Sequence, residues 1–276
     1  MRITYRGRLS RAVLGTEAHR ITQFLADGIG ARVAGSGRER AAADFISTTF
    51  RSMGYQTVFQ EFENPEGKPS RNVLATRAET LPDRFLVVGA HYDTAKDTPG
   101  ANDNASGVGV MIEAAIALSG VELPVPVVYV AFGSEEGSHA GSKNFVSALS
   151  SPSVVMGMVN LDAVGVDAGM EIGCYLPDEA SAKSGEVDPW LANQCRATAE
   201  FLGFELSGSN FGGKSDYASF TDAGIPVACF ARTDQSSAHT PEDNMSIISA
   251  RAMAQIGQVL VDSLMEIRVP RRFRTG

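Results

Sequence analysis

The chemistry of this chain is concentrated where its apolar runs stop. FLVVGA leads into His91-Tyr92-Asp93, PVVYVAF into Gly133-Ser134-Glu135-Glu136, VVMGMVNL into Asp162, and IPVACFA into a loop that holds His239. A further acid, Asp103, lies in GANDNASG, just ahead of a small apolar segment. Each has an ordinary explanation when taken alone. A histidine after a strand packs or faces water, an aspartate before a helix caps it, and a pair of glutamates is a solvated charge. Together they are two imidazoles and a group of carboxylates delivered to one place. That donor set suits Zn2+ with mixed N and O ligation and open positions, the pattern of catalytic rather than structural zinc. One carboxylate can bridge two metal ions about 3.5–4 Å apart. Adjacent glutamates can divide labour, one holding metal while its neighbour takes a proton from an activated water. Cys174, Cys195 and Cys229 show no CxxC or CxxH spacing, so they read as buried apolar residues and not as thiolate ligands.

The elements that must position these residues alternate between strands and helices. Helices are expected over 16–27, 38–53, 106–119, 141–149, 189–203 and 245–267, and strands over 56–62, 71–77, 85–90, 126–132, 154–162, 170–175 and 225–231. The runs at 85–90, 126–132 and 225–231 are apolar throughout, as strands buried on both faces are. This alternation argues for one α/β domain over residues 1–276, with a mostly parallel mixed sheet, helices on both faces and a basic tail from about 268. Ligands of open α/β sheets bind outside the carboxyl ends of the strands, the edge where the candidate residues fall.

The composition sets limits. A net charge of −8 argues against nucleic-acid and anionic-membrane partners. No run of about 18 apolar residues occurs, so no membrane span is expected. The N-terminal stretch MRITYRGRLSRAVLG has no apolar segment suited to a signal peptide, which gives a cytoplasmic expectation, with a secreted mature form left open as the alternative. Nothing in the sequence specifies an oligomeric state.

AHYDT, GANDNASGVGVMIEAA, FGSEEGSHAGS, NLDAVG, KSDYASF and AHTPEDN occur in the order of the motifs of the di-zinc aminopeptidases, and the chain resembles that family over nearly its whole length. The glutaminyl cyclases and the glutamate carboxypeptidase II group are relatives. The resemblance implies a zinc-exopeptidase (phosphorylase/hydrolase-like) fold and two Zn2+, for which Co2+ or Mn2+ can substitute. It also implies that His91 and Asp162 bind one ion, Glu136 and His239 the other, and that Asp103 bridges both. Glu135 is then the general base, and Asp93 orients His91. The peptide bond after the bridging aspartate is cis in relatives, so Asp103-Asn104 is expected to be cis. Where the family often has His after Ser-Asp, this chain has Tyr217, a candidate for substrate contact. His19 and His139 match no ligand position and read as surface or packing residues. The implied activity is removal of the N-terminal residue from peptides with a free amino terminus, the amine lying against the site carboxylates, and a neutral or apolar first residue of a short peptide is the substrate expected. Phe132, Phe211 and Phe220 could line an apolar pocket for the first side chain, but core positions are the preferred reading of each. A glutaminyl cyclase-like single-zinc acyltransferase, a non-catalytic receptor-like domain of the same fold, and a carboxypeptidase or dipeptidase stay open as alternatives.

Overall fold

The structure, a computed structural model, describes residues 2–5, 8–173, 187–208 and 215–271, with the backbone alone for residues 2–11. Cys174, Phe211 and the end of the basic tail lie outside the described residues. Strands are β1 (Arg2–Tyr5), β2 (Arg8–Arg11), β3 (Gln56–Glu63), β4 (Pro69–Thr76), β5 (Phe85–His91), β6 (Val127–Phe132), β7 (Val155–Leu161), β8 (Met170–Gly173), β9 (Leu206–Gly208) and β10 (Val227–Arg232). Helices are α1 (Thr16–Gln23), α2 (Gly37–Ser52), α3 (Gly107–Ala117), α4 (Ala140–Ser147), α5 (Trp190–Phe201), α6 (Tyr217–Asp222) and α7 (Ala250–Glu266).

Eight strands form one mixed sheet in the order β3-β4-β6-β5-β7-β10-β8-β9, and β1 pairs with β2 apart from it. The four central strands β6, β5, β7 and β10 run parallel, while β3, β4 and β8 pair antiparallel towards the edges. The fold is therefore the α/β arrangement expected, with antiparallel flanks. β5 and β7 are buried at every residue, which is why their sequences read as unbroken apolar runs. Successive side chains of β5 point to opposite faces. Leu86, Val88 and Ala90 join a core formed with α1, α2, α3, α5 and α7, and Phe85 and Val87 join a second core under α4 and α6. Among the described residues no helix is long and apolar enough to cross a membrane.

Several boundaries differ from expectation for local reasons. The first helix keeps its α form only to Gln23, and residues Phe24–Ile29 widen into a π-helical segment ending at Gly30. The closing helix starts at Ala250. Met245–Ile247 is a separate 3-10 turn capped by the Asn244 side chain, and Ser249 accepts from the Ala252 amide as the true N-cap. Helix α6, strand β9 and the β1-β2 hairpin are too short to register as periodic patterns. Phe132 and Phe220 do not line a pocket. Both are fully buried, and they pack edge-on at 6.0 Å between centroids beside Phe145.

Candidate metal centre

The sheet brings its chemistry to one edge because β5 is a switch point. The chain leaves β5 to pair β6 on one side and returns to pair β7 on the other. The crevice at such a reversal opens at the carboxyl ends of the strands. His91 ends β5, Glu135 and Glu136 follow β6, Asp162 follows β7, and His239 lies beyond β10. The loop 92–106 adds Asp103 from above.

The expected ligand set converges. Asp103 is central to it: its Oδ1 lies 3.1 Å from His91 Nε2, and its Oδ2 lies 3.3 Å from His239 Nε2. His91 Nε2 is 3.6 Å from Asp162 Oδ1, and His239 Nε2 is 3.1 Å from Glu136 Oε2. Among the described residues three groups bring their ligand atoms within 4.8 Å of one another: His91-Asp103-Asp162 and Asp103-Glu136-His239, which share the aspartate, and His91-Glu135-Glu136. Each group offers one imidazole and two carboxylates, a zinc donor set, and the shared aspartate turns one oxygen to each of the first two. The residues present therefore fit two cations held side by side.

The backbone that carries these groups is held by buried polar contacts. Arg32 is fully buried. Its guanidinium donates to the carbonyls of Tyr92, Leu25, Gly30, Pro99 and Gly100 at 2.7–3.1 Å, tying the segment after β5 to the loop that carries Asp103. Gly100 has φ 63°, and a side chain there would overlap Thr94 Cγ2 and the Asp103 carbonyl. Asp243 accepts from the amides of Asn102 at 2.6 Å and Asp103 at 2.9 Å. The Asp103-Asn104 peptide bond is cis. Asn104 spans the same junction, donating to the Leu161 carbonyl and accepting from Gly107 and Ala163 amides.

Asp93 is fully buried, with Oδ1 3.6 Å from His91 Nδ1. Its shorter contacts go elsewhere: Oδ1 accepts from the Glu135 amide at 2.9 Å and Oδ2 from the Glu136 amide at 3.1 Å. One carboxylate thus fixes the turn that presents both glutamates. Glu39, from α2, backs the same turn. It accepts from the Ser134 amide at 2.9 Å, the Ser70 hydroxyl at 2.7 Å and the Gly35 amide at 2.6 Å. Ser215 donates to Asp162 Oδ2 at 2.5 Å, and Tyr217, 2% exposed, lines the cavity over these groups.

Crowding of acids shapes the titration. Burial drives the Glu135 carboxyl well above its ordinary value, and Asp216, Asp162 and Asp93 add to this against the pull of His91. Burial also raises Glu136, to about 7, with Asp103 and Asp93 assisting. Hydrogen bonding to Asp103 lifts His239 to about 9. Burial alone would lower His91, but Glu135, Asp103, Asp162 and Asp93 outweigh it and hold the ring well above its usual value. Asp103 itself is lowered despite burial, because both histidines donate to it. An excess of buried carboxylates gathered round two imidazoles is the electrostatic signature of a site made for cations.

Further contributors, Glu39 among them, have no local signal in the sequence. His139, which matches no ligand position, sets Nε2 3.3 Å from Glu135 Oε1. Asp243 lies in the quoted AHTPEDN motif, but its bonds to a loop 140 residues away have no local signal. Asp216, fully buried and raised to about 7 by burial, stands beside the named Tyr217.

The cavity over the site measures about 710 Å3 and is lined by His91, Asp103, Glu135, Glu136, Asp162 and His239 among others. Comparison with known proteins agrees with this architecture. Aminopeptidase YwaD of Bacillus subtilis is 35% identical over 190 residues, covering 66% of this chain and 41% of its own. Leupeptin-inactivating enzyme 1 of Streptomyces exfoliatus is 27% identical over 254 residues, covering 90% of this chain and 55% of its own. The chain thus spans about half the length of these curated relatives. The solved structure of BSAP, a zinc aminopeptidase from Bacillus subtilis, superposes with a TM-score of 0.82 at 21% identity over 92% of this chain and 95% of its own. The model of peptidase family M28 matches residues 72–264, and the chain belongs to that family.

Proposed function

We propose that this chain is a zinc-dependent aminopeptidase that releases the N-terminal residue of a peptide, with two zinc ions astride Asp103 and Glu135 as general base. The observation that carries this reading is the Asp103 carboxylate, with one oxygen towards His91 and the other towards His239. His91 and Asp162 would hold one ion and Glu136 and His239 the other, and Co2+ or Mn2+ can occupy the same donors. Bound zinc supplies a Lewis acid for the scissile carbonyl and makes water acidic enough to attack at neutral pH.

The chain's own residues do the rest. Glu135 is 6% exposed and stands at the cavity wall beside the candidate ligands, with its carboxyl raised by burial, so it is placed to exchange a proton with a water held there. It takes the proton of the attacking water and delivers it to the departing amine. Asp93 holds the Glu135 and Glu136 amides, so base and neighbouring ligand keep a fixed relation. The carboxylates around the cavity favour a substrate amine over a substrate carboxylate. Arg232 also lines the cavity, but its Nη1 donates to the Ala168 carbonyl and its Nη2 to the Ala252 carbonyl and Gln255 Oε1, so no free guanidinium fork is offered by it to a peptide C-terminus.

The test is turnover by the zinc-loaded protein of a peptide with a free amino terminus, the same peptide acetylated, and a peptide beginning with glutamine. Release of the first residue from the free peptide alone is expected. Equal cleavage of the acetylated peptide, or cyclisation of the glutamine peptide without release of residues, would overturn the reading.

A further inference from the structure

The part of the cavity that faces away from the metal ligands is floored by the sheet. β8 runs antiparallel to β10, with Glu171 opposite Ala231 and Gly173 opposite Cys229. Directly opposed residues share a face, so these four form one patch, and Glu171, Cys229 and Ala231 line the cavity. Three of the four are small. The fourth is a half-buried carboxylate that makes no ion pair or hydrogen bond with any described residue. Arg232, one residue on in β10, also borders the cavity, but its guanidinium is held by the Ala168 and Ala252 carbonyls and Gln255 Oε1.

The register gives the distance. Leu161 of β7 pairs with Phe230 of β10, and the Asp162 amide bonds the Phe230 carbonyl. Asp162 is therefore level with Ala231, and Ala231 with Glu171. Two strand spacings of about 4.8 Å separate Asp162 from Glu171, roughly 10 Å in all. A peptide whose first residue has its amine and carbonyl at Asp162 has room to lay that residue's side chain along this floor. The small side chain of Ala231 accommodates an apolar stem, and Glu171 meets whatever lies at its end.

We infer that Glu171 selects a basic first residue, lysine or arginine, by pairing with its cationic head while the stem lies over Ala231 and Cys229. This rests on the aminopeptidase reading and specifies its substrate. The chemistry is particular. A long apolar stem with a terminal cation spans the gap and satisfies a carboxylate that has no partner among the described residues. A leucine side chain stops short of it, and an acidic one meets repulsion from Glu171 and from the site's own acids. The aromatic residues considered for an apolar pocket, Phe132 and Phe220, are sealed in the core below.

The experiment measures kcat/KM for the lysine, arginine and leucine p-nitroanilides with zinc-loaded wild type, Glu171→Gln and Glu171→Lys, together with calorimetric binding of lysinamide and leucinamide to each protein. Lysine and arginine should exceed leucine in the wild type. The lysine-to-leucine ratio should fall by about 10–100-fold in Glu171→Gln, the usual effect of losing a hydrogen bond to a charged group, and further in Glu171→Lys. Leucine turnover equal to lysine turnover, or a ratio that survives Glu171→Gln, overturns the inference and leaves the aminopeptidase reading standing. If no nitroanilide is turned over, the aminopeptidase reading fails and the calorimetry decides for Glu171. Tighter lysinamide binding that is lost in Glu171→Gln upholds its role, and equal binding of the two amides overturns it.

Discussion

Replacing Asp93 with asparagine exchanges one carboxylate oxygen for an NH2 at a fully buried point between two glutamate amides. The remaining oxygen can serve the Glu135 amide or the Glu136 amide, but not both. The other N–H then faces a donor. Loss of one hydrogen bond to a charged acceptor costs about 1.5–3 kcal/mol, and leaving its buried N–H unsatisfied adds to that, so about 3 kcal/mol in total is a fair expectation. At 1.4 kcal/mol per factor of ten that is as much as a hundredfold, in line with the 10–100-fold lost when partners behind a metal ligand are removed. The variant should bind zinc about 10–100-fold more weakly in competition with a chromogenic chelator and lose a comparable factor in kcat/KM at saturating zinc. Its metal-free form should melt about 5–10 °C lower. Zinc affinity and kcat/KM both within threefold of wild type would refute the claim that this carboxylate sets the geometry of the glutamate turn.

Glu135→Gln should retain its zinc and lose about 10²–10⁴-fold in kcat, whereas Glu136→Gln should lose zinc as well; metal analysis showing the reverse pattern would mean the two roles are exchanged. Ser215→Ala removes the hydroxyl that donates to Asp162 Oδ2 and accepts from Asn160 Nδ2; it should weaken zinc about tenfold and, by leaving a buried amide donor unsatisfied, lower the melting temperature by about 3–10 °C, as measured by chelator competition and calorimetry. Glu39 is raised from 4.5 to about 7, chiefly by burial. Its folded pKa lies above its unfolded one, so its contribution to stability is fully present below about pH 4.5 and is lost as pH rises through about 7, by up to about 3 kcal/mol. Urea unfolding of the metal-free protein from pH 4.5 to 8 should show a decline to which Glu135, Glu136 and Asp216 also contribute, and Glu39→Gln should make it shallower by about 3 kcal/mol while leaving the rest.

Much of the site was legible because the elements that carry it are the simplest to read. β5, β6, β7 and β10 lie at the centre of the sheet and are almost wholly buried, so their sequences are apolar runs with abrupt polar ends, and those ends are the site. What was not legible depends on contacts across the chain. Asp243 reaches back to the Asp103 loop, Glu39 reaches from α2 to the glutamate turn, and His139 meets Glu135 through a tight turn in which His139 takes a positive φ of 51°. Residue type alone gave no sign of these. The misplaced helix start at Met245 had a local signal, since Ser249 is a good N-cap residue, but the apolar run before it suggested a longer helix. Phe132 and Phe220 are near site residues in sequence but lie in the core, the reading preferred for them; strand alternation turns Phe132 beneath the site.

The central claim is that Asp103 is shared between two cations, and anomalous diffraction at the zinc edge from zinc-soaked crystals tests it most directly. The account requires two peaks about 3.5–4 Å apart, one beside His91 and Asp162, the other beside Glu136 and His239, with an Asp103 oxygen on each. A single peak at full zinc loading, or a pair in which Asp103 touches only one ion, would contradict it.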